Sequence, residues 1–132
     1  LAAMRHILAQ YGTAAREALH GVTTPRARLF AVIHASFGGT NFEQETAAAW
    51  LNFYALALID PEAARLLRVY HSRLRSNLLV CLRPLIGEGA VPAAQTLGAL
   101  IDGLYLRGVL SGEIDGPAAE ALILDYLQKV LP

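Results

Sequence analysis

The chain has 132 residues, enough for one domain of ordinary size, about 100–150 residues, and too few for two independent cores. Lysine plus arginine and aspartate plus glutamate both number 11, so these residues alone carry no basic surplus with which to neutralise nucleic-acid phosphates. The hydrophobic share is 55% and the mean hydropathy +0.39, yet the longest apolar run, Leu97 to Leu110, is broken by Asp102 and Arg107 and falls short of the roughly 20 residues that cross a bilayer.

No segment alternates with period two between hairpin turns, so the expected fold class is all-α, with about six helices. The first covers roughly Leu1 to Val22 and ends at Gly21; it lacks a start signal, as in a chain cut inside a helix, and the sequence reads as a piece of something longer. Thr24-Pro25 supplies a capping hydroxyl and a first-turn proline for a second helix that Gly38-Gly39 closes. Thr40 and Glu43 stand at capping-box spacing before a third, within "FEQETAAAWLNFYALALI". Asp60-Pro61-Glu62 opens a long fourth helix to about Ile86, with Pro84 expected to kink or end its last turn. A fifth is expected from Ala93 to about Gly112, and Asp115-Gly116-Pro117 opens a sixth to about Leu131.

A helix packed on one core needs an apolar stripe a little over 100° wide, and the last two helices exceed that. Leu97, Ile101, Leu104 and Gly108 form one row of the fifth helix, while Tyr105 and Val109 turn toward another. On the sixth, Leu122, Tyr126 and Val130 form one row and Ile123, Leu127 and Leu131 the next. A glycine inside a helix costs about 1 kcal/mol relative to alanine, so Gly98, Gly103 and Gly108 call for a packing reason. The expectation is a homodimer in which both chains contribute these two helices to a four-helix bundle, with Leu97, Ile101, Leu104, Gly108, Leu122, Tyr126 and Val130 at the interface; one deep monomeric core is the alternative.

The segments "NFEQETAAAWLNFYALA", "RLLRVYHSRLRSNLLVCLRPLIG" and "LGALIDGLYLRGVLSGEIDGPAAEALILDYL" resemble, in order and spacing, the C-terminal regulatory domain of TetR-type repressors, in particular the BetI branch that governs choline-to-betaine genes. The likeness runs from about Leu1 to Leu127 and is loosest over the first two helices. It implies that residues 1–132 form one effector-binding and dimerisation domain, with the last two helices at the dimer interface and the middle helices around an effector pocket. It also implies that operator DNA is contacted only through an N-terminal helix-turn-helix domain, which these residues do not supply.

Aromatic residues gather where such a pocket needs them. Phe30, His34 and Phe37 recur at i, i+4, i+7 on the second helix, Trp50, Phe53 and Tyr54 at i, i+3, i+4 on the third, and Asp102 and Tyr105 at i, i+3 on the fifth; Tyr70 joins them from the fourth. Quaternary ammonium ions are held by aromatic faces, each contributing about 0.5–2 kcal/mol, and a buried carboxylate matches their charge. With the resemblance, which implies choline-responsive genes, these faces make choline or a similar cation the expected effector and Asp102 its counter-ion. Against this stand an Asp102 paired with an arginine or capping a helix, aromatics that are simply core, another hydrophobic or cationic effector, and a helical dimerisation module without a ligand.

Arg107 lies about 140° round the helix from Asp102 and reads as an interface or rim residue. Arg65, Arg68, Arg73, Arg75 and Arg83 spread around the fourth helix and read as a solvated surface; His6, His20, His34 and His71 show no paired ligand spacing and read as ordinary. Glu17-Ala18-Leu19-His20 is a Glu-x-x-His, but a di-iron bundle needs two such units plus two further glutamates, so no metal or other cofactor and no enzymatic activity are expected. The single cysteine, Cys81, excludes an internal disulfide, and with no signal peptide at Leu1 the expected location is the cytoplasm, without membrane attachment.

Overall fold

A computed structural model describes all residues from Leu1 to Pro132. Its helices are α1 (Ala2–Leu19), α2 (Pro25–Phe37), α3 (Gln44–Ala57), α4 (Pro61–Ile86), α5 (Ala90–Ser111) and α6 (Gly116–Val130), with one 3₁₀ turn, Gly87–Gly89, between α4 and α5. The fold is all-α, and no helix is long and apolar enough to cross a membrane.

Local chemistry sets three of the six helix starts. Thr24 accepts a hydrogen bond from the Ala27 amide at 3.2 Å, Asp60 from the Glu62 amide at 2.9 Å, and Asp115 from the Ala118 amide at 2.9 Å, each satisfying an amide the helix itself leaves unpaired. The capping box expected at Thr40 and Glu43 does not form. Glu43 is the N-cap, without a side-chain cap bond, and its amide instead closes a turn onto the Thr40 carbonyl at 3.0 Å. Holding Asn41 and Phe42 outside α3 leaves them free to meet Tyr105, as described below. Pro84 does not end α4, which continues to Ile86; the carbonyl it leaves unpaired belongs to Val80, whose side chain is exposed on the solvent side. α5 begins at Ala90 rather than Ala93, because Pro92 is tolerated in a first turn. It ends at Gly112, whose φ of 71° is the left-handed cap that glycine adopts without strain.

The core joins α2, α4, α5 and α6. Leu29, Ile33, Leu78, Leu82, Leu97, Ile123 and Leu127 are completely enclosed, each contributing about 1.5–3 kcal/mol of burial. α1 and α3 complete one end, where α1 packs on α2 and α3, and α3 packs on α4 and α5. α5 and α6 close on each other at a tight corner: a methyl added to Gly108 would stand 2.9 Å from Phe42 Cε1 and closer still to the Ile114 carbonyl oxygen.

That corner corrects part of the expected dimer row. Leu97 is 0% exposed, Ile101 3%, and Gly108 is buried against Ile114, so all three face the chain's own core and offer nothing to a second copy. Leu104, Tyr126 and Val130 are half-buried against the same core, whereas Leu122 is 52% exposed. Helical spacing finds the apolar rows on a helix but does not distinguish the row facing its own chain from the row facing outward. The outward face of α5 carries Ala99, Gly103, Leu106 and Leu110, beside the exposed Leu122 of α6. Gly98 and Gly103 have open space where a Cβ would go, so nothing within the chain requires glycine there.

Candidate functional site

Five helices converge on one cluster of aromatic rings around a single carboxylate. Trp50, from α3, is its centre, with ring centroids 5.7 Å from Tyr54, 5.1 Å from Tyr70 of α4 and 6.2 Å from Tyr105 of α5. Tyr11 of α1 meets Tyr70 edge-on at 5.8 Å. Ile101 and Asp102 of α5, Ser36 at the end of α2, and Asn41 of the loop before α3 complete the lining. The spacing produces this directly: Trp50 and Tyr54 lie one turn apart on α3, Asp102 and Tyr105 one turn apart on α5, and both pairs turn inward.

Hydrogen bonds fix much of the wall. Ser36 Oγ donates to the Val32 carbonyl at 3.0 Å, so the Tyr11 hydroxyl donates to Ser36 Oγ, also at 3.0 Å. The Tyr105 hydroxyl donates to the Asn41 carbonyl at 2.7 Å, and Asn41 Nδ2 donates to the Ser36 carbonyl at 3.3 Å. Phe42 packs against Tyr105 with a centroid distance of 5.2 Å. The loop between α2 and α3 is thus tied to α5 by a tyrosine.

Asp102 is the one acidic side chain lining the cluster, and its carboxylate meets His71 Nε2 of α4 at 3.0 Å. Burial raises its pKa above the ordinary carboxylate value, and His71 draws it partly back down. The negative charge also acts on its neighbours. Burial, and then Asp102, push the Tyr54 phenol upward, and burial pushes Tyr70 well up and Tyr105 up to about 12. The phenols are therefore neutral at physiological pH, and Asp102 is the one acidic group of the cluster.

The sequence-predicted site residues divide into two groups. Trp50, Tyr54, Tyr70, Asp102 and Tyr105 come together. Phe53 lies behind Trp50 at 6.1 Å, 2% exposed and part of the core. Phe30, His34 and Phe37 are not at the cluster: Phe30 is exposed on the outer surface, His34 Nδ1 turns to Glu120 of α6 at 2.9 Å, and Phe37 packs toward Phe42. α2 contributes Ser36 instead, because its buried side runs through Leu29, Val32, Ile33 and Ser36. His71 is not an ordinary surface histidine but the partner of Asp102, in the place where an arginine had been the alternative. The arginines of α4 at 65, 68, 73, 75 and 83, and Arg107 of α5, are exposed.

Residues 25–132 match the C-terminal family of BetI-type transcriptional repressors. The chain belongs to that family. It is 43% identical over 129 residues to the HTH-type transcriptional regulator BetI of Brucella anthropi, covering 96% of this chain and 66% of that protein. It is likewise 43% identical over 133 residues to BetI of Rhizobium meliloti strain 1021, covering 99% of this chain and 66% of that protein. The chain therefore spans about two thirds of the length of these relatives. A crystal structure from Pseudomonas aeruginosa PAO1 described as a transcriptional regulator has the same fold, with a TM-score of 0.82 at 24% identity over 95% of this chain and 64% of that one.

Within this BetI-type domain, sequence reasoning missed Tyr11, Ser36, Asn41 and His71. Tyr11 carried a signal: it falls seven residues after Met4 and four before Ala15, the buried positions of α1, and so lies on its inward face.

Proposed function

We propose that residues 1–132 form the effector-sensing and dimerisation part of a TetR-type repressor, and that choline or a closely related quaternary ammonium ion is the effector. The observation that carries this reading is the grouping of Trp50, Tyr54, Tyr70 and Tyr105 around Asp102. Neutral ring faces attract a cation through their quadrupoles, and one carboxylate matches a single positive charge. A neutral apolar effector would use the same rings but would leave a half-buried carboxylate that contributes nothing to its binding.

Contact with operator DNA, in this reading, belongs to an N-terminal helix-turn-helix outside residues 1–132, and the outward faces of α5 and α6 join two copies. Effector binding would shift the dimer between arrangements of the DNA-binding heads by no more than its difference in affinity for them. Trp50 is the only tryptophan and lies in the cluster, so its fluorescence reports binding. Choline is expected to perturb Trp50 emission saturably, and Asp102→Asn to weaken choline far more than a neutral ligand of the same shape. Equal weakening of both would remove Asp102 as counter-ion; no response to choline would remove it as effector.

A further inference from the structure

The space within the aromatic cluster, partly open at its edge, is about 20 Å³, enough for about one water and too small for a trimethylammonium group. The rings also touch one another: the Trp50 and Tyr70 centroids are 5.1 Å apart, which leaves no gap between those two rings for a cation. A wall must move to admit any ligand, and the walls differ in what holds them.

On the α1 side, Tyr11 is held by Ser36, which is itself tied to the Val32 carbonyl of a buried helix end. On the loop side, Asn41 is held through its backbone carbonyl by Tyr105 and through its side chain by the Ser36 carbonyl. Opening the loop side displaces backbone, whereas on the α1 side only the bond between the Tyr11 and Ser36 side chains needs to break. On the α4–α5 side, one link between two side chains, His71 to Asp102, lies toward the surface, the side chains being 46% and 31% exposed. Rotating them about their own bonds is enough to separate them.

Asp102 also lines a second space of about 280 Å³, between α4 and α5, bordered by His71, Leu74, Arg75, Gly98 and Ala99. This outer groove approaches the roughly 300 Å³ at which small-molecule sites begin. Gly98 forms part of its lining, with nothing within 4 Å of where a Cβ would stand, so the small residue keeps the groove wide.

We propose that ligands reach the aromatic cluster through the groove between α4 and α5, and that His71 is the gate, swinging off Asp102 to open it. The proposal rests on the cluster being a ligand site, but its test needs no effector. Acrylamide, a small neutral quencher, reaches Trp50 only as fast as the route to the cluster allows. On the full chain, His71→Ala is expected to raise the bimolecular quenching constant of Trp50 about threefold or more, while His71→Gln, which can still hydrogen-bond Asp102, stays close to the wild type. Gly98→Leu, narrowing the groove, is expected to cancel most of the increase in the His71→Ala background. Thr46→Leu, which narrows the space of about 350 Å³ beside α1 and the loop that borders the cluster at Tyr11 and Asn41, is expected to leave quenching unchanged. Near-ultraviolet circular dichroism of each variant shows that the aromatic packing is retained. Unchanged quenching in His71→Ala, or a fall in Thr46→Leu without one in Gly98→Leu, would overturn the proposal. A failed choline titration alongside the expected quenching pattern would reject choline and leave the gate standing.

Discussion

The corner between α5 and α6 makes one substitution informative at two positions. In an open helix interior, replacing glycine by alanine stabilises by about 1 kcal/mol. At Gly108 the added methyl would stand 2.9 Å from Phe42 Cε1 and closer to the Ile114 carbonyl, where ordinary contact begins at 3.4 Å. Both neighbours must retreat by half an ångström or more. The carbonyl cannot move alone, because the next residue, Asp115, caps α6. Such overpacking costs about 1–3 kcal/mol, and a backbone obstacle belongs at the upper end, so the net loss after the propensity gain is about 2 kcal/mol. At about 4 °C per kcal/mol for a chain of this length, Gly108→Ala should melt roughly 8 °C below the wild type. Because Phe42 packs on Tyr105, the Trp50 emission should change as well. Gly103→Ala has open space and carries no such penalty within the chain. Its protomer should be as stable as the wild type or about 1 kcal/mol more so. Thermal unfolding of both variants at matched protein concentration checks this, since association would otherwise shift the midpoint. Gly108→Ala melting at or above the wild type would refute the reasoning.

The outward face of α5 and α6 makes a second prediction. Leu110→Glu with Leu122→Glu, at positions 68% and 52% exposed in one protomer, should give a monomer by sedimentation with unchanged helical circular dichroism; a persistent dimer would place the interface elsewhere. Asp102 gives a pH prediction. Its raised pKa means the folded chain holds this proton more tightly than the unfolded chain, so its contribution favours folding below the ordinary value of 3.8 and is lost as pH rises through the raised value. Asp102→Asn lacks this titration and should gain stability relative to the wild type as pH rises above the ordinary value of 3.8; a difference independent of pH would contradict the shift. Tyr105→Phe removes the 2.7 Å bond to the Asn41 carbonyl and should cost about 1 kcal/mol, with faster hydrogen exchange at the Glu43 amide that closes the loop; unchanged exchange there would show that the loop is held by something else.

The parts of the site that were legible in the sequence are those written within one helix turn. Trp50 with Tyr54, and Asp102 with Tyr105, share a face by spacing alone, and both pairs reach the cluster. The same reasoning failed for Phe30 and His34, which also share a face, because spacing groups residues without fixing which way the group turns. The unread parts are long-range. His71 and Asp102 are 31 residues apart, Tyr11 and Ser36 25, and Tyr105 and Asn41 64, and each pair meets only after the helices pack. Helix starts at Thr24, Asp60 and Asp115 were readable because a cap acts on amides two or three residues away, whereas at Thr40 a tertiary demand on Asn41 and Phe42 prevailed over the local signal. The apolar rows of α5 and α6 were visible, but the division between own core and outward face depends on the corner at Gly108, which no periodicity contains.

Rings around a carboxylate, as proposed, recognise a quaternary cation, and that recognition carries the whole functional reading. It is tested most directly by calorimetric titration of the chain with choline and, in parallel, with 3,3-dimethylbutan-1-ol, which has the same shape without the charge. Binding of choline with little or none of the alcohol is the expected result. Equal binding of both, or of neither, would contradict it.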